Sequence, residues 1–127
     1  MANLAYFEVP VEDLERAKKF YQEVLGWKIE KSKMPESPPD YCDISTGKSK
    51  KNTLNSGGMY KRTKEMPPNL MIVSYAQVDS IDKALAAAQK LGGTITMPKM
   101  AIKQVGFVAQ VKDTEGNVIG IWEMEKK

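Results

Sequence analysis

Apolar and polar positions along this chain follow two alternating spacings. Leu4 to Val9 is a short apolar, β-favouring run that predicts a strand. The period then changes. Leu14, Ala17, Phe20, Tyr21, Val24 and Leu25 fall at spacings of three, three, one, three and one and draw one face of a helix. Asp13 stands where a carboxylate accepts from the free N–H groups of a first turn, and Gly26 where a left-handed cap ends the last. Trp27 to Lys31, Tyr41 to Ser45 and Leu54 to Tyr60 predict three further strands, the first two separated by a loop marked by Pro35, Pro38 and Pro39.

The same order then begins again. Leu70 to Val78 predicts a strand, and Ser80 caps a helix whose apolar face is Ile81, Ala84, Leu85, Ala88 and Leu91. Gly92 and Gly93 end it. Thr94 to Met97, Val105 to Val111 and Val118 to Glu123 predict three strands, the last two joined by a turn at Asp113–Asn117. Val11, Leu14 and Ala17 correspond to Val78, Ile81 and Ala84 at a constant offset of 67 residues. The pattern predicts an α+β fold of two βαβββ modules, repeats 1–60 and 70–127, joined by a linker over 61–69.

Composition narrows the class. A chain of 127 residues, 42% hydrophobic and 28% charged, suits one domain with one sizeable core and excludes disordered and fibrous classes. No apolar run approaches the roughly 20 residues of a membrane span. No basic region followed by an apolar stretch follows Met1, so no signal peptide is expected. Cys42 is the single cysteine, which excludes an intramolecular disulfide and leads us to expect a reducing cytoplasm. Cys42 itself reads as an inert, buried thiol on a strand. The net charge of +3 is mild. Its clusters at Lys48, Lys50 and Lys51, at Lys61, Arg62 and Lys64, and at Lys126 and Lys127 read as solvated loops, with no nucleic-acid partner expected.

There is no histidine. That removes Ser–His–Asp and Cys–His nucleophiles, the His-containing zinc motifs and the two-His-one-carboxylate iron site. Chemistry here falls to carboxylates, lysines, tyrosines or backbone groups.

The stretch Phe7-Glu-Val-Pro-Val-Glu-Asp-Leu-Glu-Arg-Ala-Lys-Lys-Phe-Tyr21, running into Leu25-Gly-Trp27, resembles the opening of the vicinal oxygen chelate superfamily. That superfamily includes glyoxalase I, the extradiol dioxygenases and the bleomycin and fosfomycin resistance proteins. Asp113-Thr-Glu-Gly-Asn-Val-Ile-Gly120 resembles its closing hairpin, and Asn55-Ser-Gly-Gly-Met-Tyr60 a glycine pair of its fourth strand. The resemblance implies a curved eight-stranded mixed sheet around a cleft, with four metal ligands in the metal-dependent members. The corresponding slots here hold Tyr6, Val73, Gly120 and a fourth-strand residue near Gly57 or Met59. No metal and no cofactor are expected, because these residues lack the donors a divalent ion needs.

Strand alternation turns Tyr6 and Glu8 away from the first helix, and Val73, Tyr75 and Gln77 away from the second. With Met59, Gln110 and Trp122 they make the candidate ligand-binding set, aromatic walls with a few polar groups. Trp122 reads equally as pocket lining or as packing. Glu8 is the candidate general base, with a solvent-facing or lysine-paired carboxylate as its structural alternative. The expected function is metal-independent binding of a small organic molecule by a homodimer. Two alternatives stay open. One is a lyase, isomerase or dioxygenase using Glu8 or a metal site in another register; the other is a regulatory module that docks a protein.

Overall fold

A computed structural model describes residues 2–34, 37–47, 56–66 and 69–126. Lys48, Lys50, Lys51, Pro35, Leu54, Pro67, Pro68 and Lys127 lie outside the described residues. The elements run β1 (Asn3–Val11), α1 (Leu14–Leu25), β2 (Lys28–Lys31), β3 (Cys42–Ser45), β4 (Ser56–Lys61), β5 (Val73–Gln77), α2 (Ile81–Lys90), β6 (Thr94–Ile102), β7 (Gly106–Lys112) and β8 (Val118–Met124). The class is α+β, with two helices and eight strands among the described residues, in mixed parallel and antiparallel pairing. The βαβββ order occurs twice, as the sequence pattern predicts. Residues 6–72 form one compact unit, and residues 1–5 with 73–127 form the other.

In the first unit the strands lie in the order β2-β3-β4-β1, with β1 and β4 parallel and the other pairs antiparallel. Phe7, Val9, Val11, Ile29, Ile44 and Met59 form the buried core, and Leu14, Ala17 and Tyr21 of α1 pack on it. Asp13 accepts from the Arg16 N–H at 3.0 Å, and Gly26 closes α1 at φ 71° with its N–H on the Gln22 carbonyl. Trp27 follows at once and lies parallel to the Tyr21 ring, with centroids 5.1 Å apart.

The predicted face of α1 is wider than the face that packs. Phe20, Val24 and Leu25 are 57, 60 and 52% exposed. A helix lays a stripe of about 100° on a sheet. Phe20 and Val24 fall on one flank of that stripe, and Leu25 is the last helical residue.

In the second unit the order is β5-β8-β7-β6, with β5 and β8 parallel. Ile81, Leu85, Ala109, Val111 and Ile121 form its core, with Ala84, Ala88 and Phe107 packed against them. Ser80 caps α2 through the Lys83 N–H, and Glu123 reaches over from β8 to accept from the Ile81 N–H at 2.9 Å. Asp113 holds the closing turn by accepting from the N–H groups of Glu115 and Asn117. Those bonds favour its charged form and hold its carboxyl below the usual range.

Three expectations for this half are corrected. Leu91 is exposed, because it lies in the turn beyond the last residue of α2. β5 begins at Val73 rather than Leu70, and Met71 and Ile72 before it are exposed. β6 continues past Met97 through Pro98 to Ile102. It ends the strand order, where a proline costs no inner ladder bond, and its register shifts on both sides of Met97.

Met59 is fully buried in the first core, directly opposite Val9. Met59→Ala therefore leaves a cavity under α1. It is expected to lower unfolding free energy by about 2–5 kcal/mol, read as a shifted urea midpoint.

Candidate functional site

Among the described residues of the first unit, a helix of that unit covers one face of its strands, and strand pairing assigns the other face residue by residue. Directly opposed residues point the same way. Phe7, Gly57, Ile44 and Ile29 form one cross-strand row, and Val9 pairs with Met59; both sets lie on the helix side. The intervening row is Glu8, Gly58, Asp43 and Glu30, on the face away from α1. Tyr6 and Tyr60, two residues along from Glu8 and Gly58, share that face.

Met59 is thereby corrected as a site residue: it is core. The register also gives the face of each fourth-strand residue. In the second unit Tyr75 lies opposite Gly120. Glu8, the residue 67 positions before Tyr75, lies opposite Gly58. Gly58 is thus the counterpart of Gly120, and Gly57 and Met59 are excluded because they face α1.

A tyrosine covers each of these two glycines. A β-carbon on Gly58 would collide with the Tyr41 hydroxyl, and one on Gly120 with the Tyr75 ring. The Tyr41 hydroxyl lies 2.6 Å from the Tyr6 hydroxyl and donates to Glu8 Oε2 at 2.9 Å. Between the two hydroxyls either oxygen can be the donor. The Tyr41 and Tyr60 rings are parallel, with centroids 6.4 Å apart. All four residues are half-buried.

Burial makes phenolates costly here. It pushes Tyr6 up to about 12, and the Glu8 and Asp43 carboxylates add to this against the hydrogen bond with Tyr41. Burial and Glu8 push Tyr60 up to about 12, although Arg62 opposes them. Tyr41 is raised as well, by burial first and by Glu8 next. The cluster therefore holds protonated phenols and supplies hydrogen bonds and aromatic faces.

In the second unit, Val73 and Tyr75 are buried outside the helix-side core, and Gln110 donates to the Tyr75 hydroxyl at 2.7 Å. The Trp122 indole N–H is bonded to the Val105 carbonyl at 3.3 Å, which ties the ring to the β6–β7 turn. Gln77 is half-buried opposite Trp122. Tyr6 and Glu8 are thus brought together with Tyr41 and Tyr60, and Tyr75 with Gln110. Cys42 is half-buried against the first core, and burial pushes its thiol up, away from the reactive thiolate.

Tyr41 and Tyr60 are functional candidates that the strand pattern misses. Tyr60 was legible from alternation once Gly58 is placed on the Glu8 face. Tyr41 precedes the first residue of β3, just after a proline-marked loop, where alternation gives no face.

Comparison with known proteins agrees with this architecture. Residues 4–47 match the family model of the bleomycin resistance protein-like N-terminal region. A methylmalonyl-CoA epimerase from Mycobacterium tuberculosis superposes with a TM-score of 0.65 at 12% identity, over 98% of this chain and 89% of that one. An extradiol ring-cleaving dioxygenase from B. fuscum gives 0.64 at 20% identity, over 98% of this chain and 33% of its own. The fold is that of the vicinal oxygen chelate superfamily. Among curated sequences, CFP32 of Mycobacterium bovis, whose name places it provisionally among glyoxylases, is 24% identical over 95% of this chain. This chain spans 45% of the length of CFP32. A glyoxylase-like domain-containing protein of Didymella fabae is 27% identical over 90% of this chain and 88% of its own.

The superfamily's metal slots do not fit a metal here. They hold a phenol at Tyr6, an isopropyl group at Val73 and bare backbone at Gly58 and Gly120. Divalent ions take several N, O or S donors in fixed geometry, and two of these slots carry no side-chain atom. No group of three acidic, cysteine or histidine residues poised for a metal occurs among the described residues.

Two measurements follow. Gly58→Ala forces Tyr41 off Glu8 and is expected to cost about 1–3 kcal/mol of stability, seen as a lowered thermal midpoint; an unchanged midpoint would show that the hydroxyl does not cover this glycine. In an alkaline absorbance titration, the difference between the protein and its Tyr60→Phe variant should show a phenolate appearing near pH 12 rather than 10. The sign is that of a raised acid. The stability contributed by neutral Tyr60 is whole below pH 10 and is lost as the pH rises through about 12.

Proposed function

We propose that this protein is a metal-independent, glyoxalase- and bleomycin-resistance-like binder of a small organic molecule, which it holds against the Tyr6–Glu8 face. The observation that carries this reading is the pair of covered glycines. Where a metal-dependent relative needs donor side chains, Gly58 and Gly120 have none, and Tyr41 and Tyr75 fill the space. Half-buried phenols, a carboxylate and parallel rings are the usual materials of a small-molecule site. Tyr75, Gln77, Gln110 and Trp122 stay ligand-binding candidates of the second unit, taken by itself. A reducing cytoplasm is in keeping with Cys42 as the single cysteine. Among the described residues no helix is long and apolar enough to cross a membrane.

A homodimer is part of the proposal. A groove of about 480 Å³ runs along α1 between Ala17, Phe20, Met71 and Ile72, and the last three of these are exposed apolar side chains.

A catalytic reading rests on Glu8 and on the glyoxylase names of the two curated relatives. Against Glu8 as a base stands the Tyr41 proton already donated to its Oε2. A general base must reach a substrate proton, and an oxygen engaged this way serves recognition better.

Native mass spectrometry of freshly purified protein, prepared without chelators, tests these points together. The expected spectrum shows two chains, a co-purifying organic mass and no stoichiometric metal. Zinc, nickel, iron or manganese at one per chain, removed by a chelator, would overturn metal independence; a single-chain mass at micromolar concentration would overturn the dimer.

A further inference from the structure

The flank of α1 that the sheet leaves uncovered carries charge as well as apolar surface. Arg16, Phe20, Glu23 and Val24 fall within an arc of about 100° on the helix, beside the stripe that packs. All four are exposed. Met71 and Ile72, exposed as well, line the groove next to Phe20 and widen the apolar surface.

Both charges stand at the unfavourable end of the helix dipole. Arg16 lies near the N-terminus of α1, where the dipole is positive. Glu23 lies near the C-terminus, where it is negative and the last turn holds no basic residue. Neither side chain forms an ion pair among the described residues.

A second copy of the same helix matches this pattern. Arg16 and Glu23 are two turns apart, about 10.5 Å, and their midpoint falls between Lys19 and Phe20. In an antiparallel pair with its two-fold axis at that midpoint, Arg16 lies level with Glu23 of the partner subunit, and the contact repeats at the other end. The two Phe20 rings then meet at the axis, and Val24 lies over the apolar stem of the partner subunit's Arg16. A parallel pair would instead set arginine on arginine and glutamate on glutamate. The charges therefore select one orientation, while the aromatic and aliphatic side chains supply the affinity.

We propose that two chains pair through α1, antiparallel about Phe20, with reciprocal Arg16–Glu23 ion pairs. This inference rests on the homodimer reading above and names its interface.

Sedimentation velocity of the full chain tests it. Wild-type protein is expected to be a dimer at micromolar concentration. Phe20→Glu, at an exposed position that does not challenge folding, should raise the dimer Kd at least about tenfold. Arg16→Glu and Glu23→Arg each set like charges together across the axis and should each raise the Kd about tenfold. Both changes also suit the helix dipole, so neither should lower the thermal midpoint. An equimolar mixture of these two variants should recover the dimer as a mixed pair, and the double variant Arg16→Glu/Glu23→Arg should recover it alone. An unchanged Kd in Phe20→Glu, or in both charge variants, would overturn this interface and leave the homodimer reading standing. Weakening without recovery in the mixture would overturn the antiparallel pairing. A monomeric wild-type chain would overturn the homodimer and this inference together.

Discussion

One hydroxyl group organises the candidate site. Tyr41 places its oxygen over the bare backbone of Gly58, and from there it reaches Glu8 on one side and Tyr6 on the other. Any side chain at Gly58 would occupy that space. The glycine carries no side chain there and makes room for the Tyr41 hydroxyl. Gly120 and Tyr75 repeat the arrangement in the second unit, where Gln110 supplies the hydrogen bond that the buried Tyr75 oxygen needs.

The core explains why α1 leaves this face uncovered. α1 covers one side of its four strands through Leu14, Ala17 and Tyr21, and the buried residues Phe7, Val9, Ile29, Ile44 and Met59 all point there. Alternation then sends Tyr6, Glu8, Gly58, Tyr60 and Asp43 to the other side as a set. Burying the core fixes the register, since a one-residue slip would exchange the two sets completely. The site is therefore as well defined as the core behind it.

Legibility followed the same physics. The first helix was readable to both caps and the second to its N-cap, because Asp13, Gly26 and Ser80 serve local backbone groups that need no tertiary partner. Tyr6 and Glu8 were readable because Phe7 and Val9 between them are unmistakably apolar. The fourth strand was not, because Gly57 and Gly58 carry no side chain to mark which face they take, and Met59 fell on the wrong side by one residue. Tyr60 was lost with it. Tyr41 was hidden by the irregular segment before β3, and its role depends on the neighbouring strand passing beneath it, a long-range fact. The unfilled flank of α1 was hidden for another reason: periodicity counts apolar residues but does not say how wide a stripe the sheet will cover.

A crystal structure of the wild-type protein, at a resolution that places hydroxyl groups and bound waters, tests the central claim most directly. The account predicts the Tyr41 oxygen above Gly58, within hydrogen-bonding distance of both Glu8 and Tyr6. Tyr41 turned out to solvent, with a cation or its hydration shell seated between Glu8 and the Gly58 backbone, would contradict it.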